Sequence, residues 1–255
     1  MNNPTTIQLL QTGFGYDGRT LVHATTDFVQ GELCALIGRN GTGKSTLLRA
    51  LAGITHPTEG KVLVNGTNIH RTSSVGLAEL VSFVSTERIA VTNLKVRDVV
   101  ALGRTPYTNW LGALTRKDNE IIERAMERMG VASFVQKQIA TLSDGENARV
   151  MIARALAQQT PVILLDEPTA FLDIAGKYEL CETLRDLATE GKTIIFSSHD
   201  LATALATDCS IALIYNGELH HGTAEQMRSS SALASFFNES GFSMDYSSGV
   251  LRRIK

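Results

Sequence analysis

The stretch GRNGTGKST, Gly38 to Thr46, follows the apolar run LCALI and leads into a run of good helix formers. No other stretch constrains the fold as much. A GxxxxGK[ST] turn between strand and helix demands a buried strand and a glycine loop whose amides converge on an anion. The helix that follows must point its positive end at the same anion. Gly38, Arg39, Asn40, Gly41, Thr42 and Gly43 form the cradle, Lys44 is placed to reach the β and γ phosphates of a nucleotide, and Ser45, followed by Thr46, to ligate Mg²⁺.

Further short apolar runs at 7–10, 33–37, 62–64, 162–165, 193–197 and 211–215 predict strands, and the patterns at 44–51, 119–128, 146–157, 175–189 and 201–206 predict helices. Strands apolar on both faces and separated by helices imply an α/β fold on a mostly parallel sheet. The first thirty residues and KVLVNGTNI read as antiparallel strands at the sheet's edge. Residues 93–157 hold no convincing strand and read as a helical insertion. With 255 residues and 43% hydrophobic content, residues 1–228 are expected to form one unit carrying that insertion, followed at 229–255 by a Ser-rich, aromatic appendage of no readable function.

A net charge of −2, from 24 basic and 26 acidic residues, gives no field that would recruit nucleic acid or an anionic membrane. The three cysteines lack metal-site spacing, and MNNPTTIQLL has neither the positive start nor the apolar run of a secretory signal, so a reducing, cytoplasmic compartment is expected. The apolar runs are too short to cross a bilayer.

A second motif is VILLDEPTAFLD, Val162 to Asp173. It sets Asp166 at the carboxyl end of a strand, able to hold Mg²⁺ through water, with Glu167 beside it as a base for an attacking water. Two adjacent acids also suit an ordinary helix start. In FSSHD, His199 ends another apolar strand, where it suits either a structural role or a phosphate contact. The run TLSDGENAR, Thr141 to Arg149, is a second helix start shaped for an anion; the same letters make a capping box of Ser143 and Glu146. The pair His220-His221 reads as a surface hairpin pair, not a metal site, because no third ligand is apparent.

In this order and at these separations, GRNGTGKS, LSDGE, LLDEP, the following Leu172-Asp173 and SSHD resemble the nucleotide-binding subunit of ATP-binding-cassette (ABC) transporters, over nearly the whole chain. The resemblance implies a P-loop NTPase core with an antiparallel β subdomain and a helical insertion, and ATP with Mg²⁺ as ligands. Leu142, Ser143, Asp144, Gly145 and Glu146 match the family's LSGGQ signature, with Asp for the first of its two glycines and Glu for Gln. In the family that helix start faces the γ-phosphate held by a second copy, which implies a head-to-tail homodimer in the ATP-bound state. Tyr16 matches the aromatic that stacks on adenine, Asp173 the loop crossing the dimer interface, and His199 the histidine at the γ-phosphate.

The run LKVRDVVALGRTPYTNWLG resembles cassettes serving importers of ferric siderophores, haem or cobalamin. That implies an ATPase on the cytoplasmic face of the inner membrane, bound to permease subunits and only indirectly to a substrate-binding protein, with an iron chelate as first expectation for cargo. A cassette for a small-molecule or lipid exporter, and a nucleic-acid-associated ABC ATPase, are the alternatives. Tyr107 and Trp110 suit packing inside the insertion as well as contact with a partner. One departure from the family falls in SFVSTERIAV, where a metal-contacting glutamine is expected and Thr86 stands instead, followed by Glu87. Thr86 is expected to act through a bridging water, Glu87 as a direct substitute; a loop keeping only its permease contact is the third reading.

Overall fold

The computed structural model describes residues 4–85, 93–207, 209–239, 242–245 and 250–253. The chain begins with a long antiparallel pair, β1 (Thr5–Tyr16) and β2 (Arg19–Val29), and continues through β3 (Leu33–Ile37), α1 (Lys44–Leu51), β4 (Glu59–Val64), β5 (Thr67–Asn68), α2 (Ser74–Leu80) and β6 (Val81–Val84). Three helices follow, α3 (Val96–Ala101), α4 (Arg116–Arg128) and α5 (Asp144–Ala157), with no strand among the described residues of 93–157. The alternation then resumes with β7 (Val162–Leu165), α6 (Ile174–Thr189), β8 (Thr193–Ser198), α7 (Leu201–Ala206), β9 (Ser210–Tyr215) and β10 (Glu218–Gly222). After these come α8 (Ala224–Arg228), α9 (Ser231–Asn238) and a hairpin of β11 (Phe242–Asp245) with β12 (Val250–Arg253).

Ten strands share one sheet in the order β5-β4-β1-β2-β10-β9-β3-β8-β7-β6. From β9 to β6 every neighbouring pair is parallel, as the apolar runs predict. The antiparallel strands β5, β4, β1 and β2 lie at one edge, as expected, and continue the same sheet through β10, which pairs antiparallel with β9 and parallel with β2 at Glu218 and His23.

Strand periodicity divides the interior in two. On β3, Leu33, Ala35 and Ile37 join a core with α3 to α9, while Cys34 and Leu36 join a core formed with α1 and the strands β1, β2 and β4. Both faces of β3 are covered, so the whole strand is apolar, and its carboxyl end opens where the phosphate loop begins.

Two expectations are corrected at β10. His220 and His221 do lie in a hairpin strand, but alternation puts His221 on the same face as the buried Leu219, so its side chain is only 11% exposed. Its Nε2 meets Glu32 Oε1 at 2.6 Å, its Nδ1 lies 3.0 Å from Thr26 Oγ1, and its ring lies 4.4 Å from that of Phe28. A third ligand-type atom, the Cys34 thiol, is close by, which a reading of spacing alone missed. Burial would raise the Glu32 carboxyl, but the hydrogen bond and charge of His221, with Ser210 and the Val29 amide, hold it below the usual range. Both side chains thus have their hydrogen-bond partners within the protein. Burial first, then the charge of Glu32, pushes the Cys34 thiol well up, so it is not a ready thiolate ligand.

Candidate functional site

Gly43 caps α1 with φ 104°, a left-handed conformation that favours glycine, and offers no side chain to the helix's first amides. No acidic residue occupies that first turn either. The amino terminus of α1 therefore keeps its donors and its positive dipole end for an outside anion. Lys44 is 7% exposed, and its Nζ donates to the Gly38 carbonyl at 2.9 Å and the Arg39 carbonyl at 3.3 Å. Burial lowers its pKa, and the charges of Glu167 and Asp166 oppose that shift.

Tyr16, Leu21, Asn40, Gly41, Gly43, Lys44, Ser45, Thr46 and Glu167 line one cleft of about 360 Å³. Tyr16, 60% exposed at the end of β1, thus shares a cleft with the phosphate loop although it lies far from it in sequence.

Asp166 follows β7 and is 7% exposed. Leu165 pairs with Phe196, so the next residues, Asp166 and Ser197, fall side by side. Ser197 Oγ donates to Asp166 Oδ1 at 2.6 Å and accepts the Glu167 amide at 2.8 Å. That one hydroxyl fixes both acids, and sequence reading missed it; the signal was a polar pair inside an otherwise apolar, fully buried strand, TIIFSS. Glu167 holds φ 47°, which costs about 1–3 kcal/mol for a residue with a Cβ. Its Oε1 lies 3.9 Å from Nδ1 of the exposed His199. Convergent amides and an ammonium fit nucleotide phosphates, and the hydroxyl and carboxylate oxygens of Ser45 and Asp166 are hard donors of the kind Mg²⁺ takes.

The second helix start is already self-satisfied. Ser143 Oγ accepts the Glu146 amide at 3.3 Å, while Glu146 Oε2 accepts the Ser143 amide at 2.8 Å and hydroxyl at 2.9 Å. The capping-box reading therefore holds within one chain. None of Leu142 to Glu146 lines the cleft around Lys44. Gly145 leaves room for the loop that follows Glu167, since a Cβ there would meet Leu172 Cδ2 at 2.8 Å. Asp173 caps α6 through the Gly176 amide at 2.8 Å, and it is flanked by two outward apolar side chains, Phe171 at 60% and Ile174 at 76% exposure.

Residues 21–170, more than half of the chain, match the sequence pattern of the family described as ABC transporter. The chain belongs to the ABC transporter family.

Among relatives of this ABC chain, the cobalamin import ATP-binding protein BtuD of Halobacterium salinarum is 41% identical over 204 residues, covering 80% of this chain. The match spans only half, 50%, of that relative's own length. The iron(3+)-hydroxamate import ATP-binding protein FhuC of Bacillus subtilis is 36% identical over 240 residues, 93% of this chain and 88% of the relative. A solved transporter described as being of metal-chelate type, in an inward-facing conformation, superimposes with a TM-score of 0.80 at 26% identity, over 92% of this chain and 89% of the other.

Elsewhere in this ABC chain the LGR run has a structural role that the sequence did not disclose. Arg104 donates through Nε to Asp118 at 2.8 Å and through Nη1 to Ala157 O at 2.8 Å and Gln159 Oε1 at 3.1 Å. Its guanidinium lies 4.0 Å from the centre of the Tyr107 ring, whose hydroxyl donates to Gln158 O at 2.9 Å. Tyr107 is therefore held against Arg104 at the surface, 39% exposed, whereas Trp110 is 90% exposed. Thr86 and Glu87 lie outside the described residues.

Proposed function

We propose that the chain binds ATP with Mg²⁺, hydrolyses it as a head-to-tail pair with a second copy, and thereby drives a permease that imports a ferric siderophore or another iron chelate. The observation that carries the ATPase reading is the meeting in one cleft of Lys44, the uncapped start of α1 and Glu167, with Asp166 fixed alongside. Lys44 and the amides of Gly41 to Thr46 would hold phosphates, and Tyr16 would stack on the base. Ser45 and Asp166 would hold Mg²⁺, which when bound offsets charge on the phosphate oxygens. Glu167 would take the proton of the attacking water, with His199 at the γ-phosphate. Thr86, or in its place Glu87, is proposed to complete the metal side.

Two observations support the paired arrangement. No signature residue lines the cleft that holds Lys44 on its own chain, Asp144 reaching only the neighbouring pocket beside Asp166 and Glu167. Phe171 and Ile174 are apolar surface beside Asp173 in want of a cover. The pairing has a cost: Glu146 already occupies the Ser143 hydroxyl and amide, so an incoming phosphate must first displace a carboxylate of its own sign.

Import is supported by the names of the relatives and by the exposed Trp110 and Leu111, which offer apolar surface to a permease. No described helix is long and apolar enough to cross a membrane, so such a permease would hold the chain peripherally at the inner membrane's cytoplasmic face, with any substrate-binding protein reached only through it. No nucleic-acid partner is proposed. The test is uptake by cells expressing the chain with its permease, offered radiolabelled ferric hydroxamate or cobalamin. Iron uptake should be lost with Lys44→Ala and cobalamin uptake should be absent throughout. Lys44-dependent uptake of cobalamin alone would overturn the cargo assignment.

A further inference from the structure

The phosphate loop has an attachment outside its own strand and helix. Arg39 Nη2 donates to the Phe236 carbonyl at 3.4 Å, lies 3.7 Å from Glu239 Oε2, and its guanidinium carbon stands 5.5 Å from the centre of the Phe236 ring. All three contacts are to α9 or the residue that ends it. That helix is fastened to the core by Leu233 and Phe237, 0% and 8% exposed. Tyr215, at the end of β9, braces the same two partners: its hydroxyl donates to Glu239 Oε1 and its ring meets Phe236 edge-on at 6.4 Å. The preceding residue, Ile214, lies under Gly38, where an added Cβ would come within 3.3 Å of it.

Arg39 matters to the loop through its backbone. Its carbonyl accepts the Thr42 amide at 3.3 Å, the Thr42 hydroxyl at 2.8 Å and Lys44 Nζ at 3.3 Å. Anchoring the side chain restricts the peptide plane that organises these three donors. Among the described residues the rim beyond it has little else to hold it: Asn40 and Gly41 are exposed, and a Cβ built on Gly41 meets nothing within 4 Å.

We propose that Phe236 and Glu239 of the carboxy-terminal segment are positioning residues for the phosphate loop, holding Arg39 so that the cradle is pre-shaped for an anion. They set nucleotide affinity and leave turnover alone. The inference rests on the reading of the cleft as an ATP site. An exposed cation–π contact and a surface ion pair are each modest, so their joint loss should weaken binding about three- to tenfold. The test is a cycle on the full chain with a fluorescent ATP analogue, comparing Arg39→Gln, the double variant Phe236→Leu/Glu239→Gln, and all three changes together. The double variant should raise Kd and KM by that factor at unchanged kcat, and adding it to Arg39→Gln should change nothing further. An unchanged Kd in the double variant, a lowered kcat or thermal midpoint with Kd intact, or additive effects would overturn the proposal. Failure of the unsubstituted chain to bind the analogue would instead remove the ATP-site reading and the inference with it.

Discussion

Glu167→Gln is expected to slow ATP hydrolysis by about 10²–10⁴-fold, the usual worth of a positioned general base, while ATP binding stays near that of the unsubstituted chain. The carboxamide has the shape of the carboxylate but cannot accept the proton of an attacking water. Geometry supports such a role. Glu167 lines the cleft that holds Lys44, and its backbone is fixed in a left-handed conformation by the hydroxyl that also holds Asp166. A side chain held at that cost in backbone strain is aimed, not left over. Because binding survives and turnover does not, the variant should accumulate as an ATP-dependent pair visible by gel filtration. Hydrolysis at the normal rate would show that another group is the base.

Arg104→Ala should have the largest effect on stability, about 3–5 kcal/mol, the range for removing one partner of a buried ion pair. In a chain of this size that corresponds to a fall in Tm of about 10 °C. Arg104 and Asp118 are 5% and 4% exposed, and Arg104 also serves the carbonyl of the last residue of α5, so its loss strands several buried groups at once. Arg104→Lys should rescue little, since one ammonium cannot reach three acceptors in the guanidinium's plane. The hydroxyl and amide of Thr115, with the Arg104 guanidinium, overcome burial and hold the Asp118 carboxyl down at about 2. A depressed acid stabilises the fold above its unfolded pKa, so this contribution is present above pH about 4 and is lost as pH falls toward 2. Differential scanning calorimetry across that window checks both points; a Tm change under about 2 °C at neutral pH would show the pair to be dispensable.

What could be read from the sequence was local. The helix at 44–51 and the strand at 162–165 have the bounds read from the letters, because a phosphate loop and an acid pair punctuate them. The Ser143 and Glu146 capping box could be read for the same reason, being a contact three residues long. The helix VRDVVA of α3 falls in the stretch read as helical, but its bounds could not be read, since its valines weaken the helical pattern; the Lys95 amide donating to Asp98 and packing against α4 and α5 set them. Short α2, with no fully buried residue, leaves no periodic trace. The omissions that concern side-chain pairing are long-range. Ser197 meets Asp166 across two strands, His221 meets Glu32 across the sheet, and Arg39 meets a helix near the other end of the chain. No spacing rule in one sequence encodes such pairs.

ATP hydrolysis by mixed pairs tests the composite site most directly. A Lys44→Ala chain should be inactive because it cannot hold phosphate, and a Ser143→Arg chain because its side chain fills the anion site offered to its partner. When the two are mixed, one site of each mixed pair carries both lesions and the other carries none. Equal amounts should therefore recover about a quarter of the native rate, as half of the pairs are mixed and each regains one of two equivalent sites. A mixture no more active than its two parents would contradict the composite site.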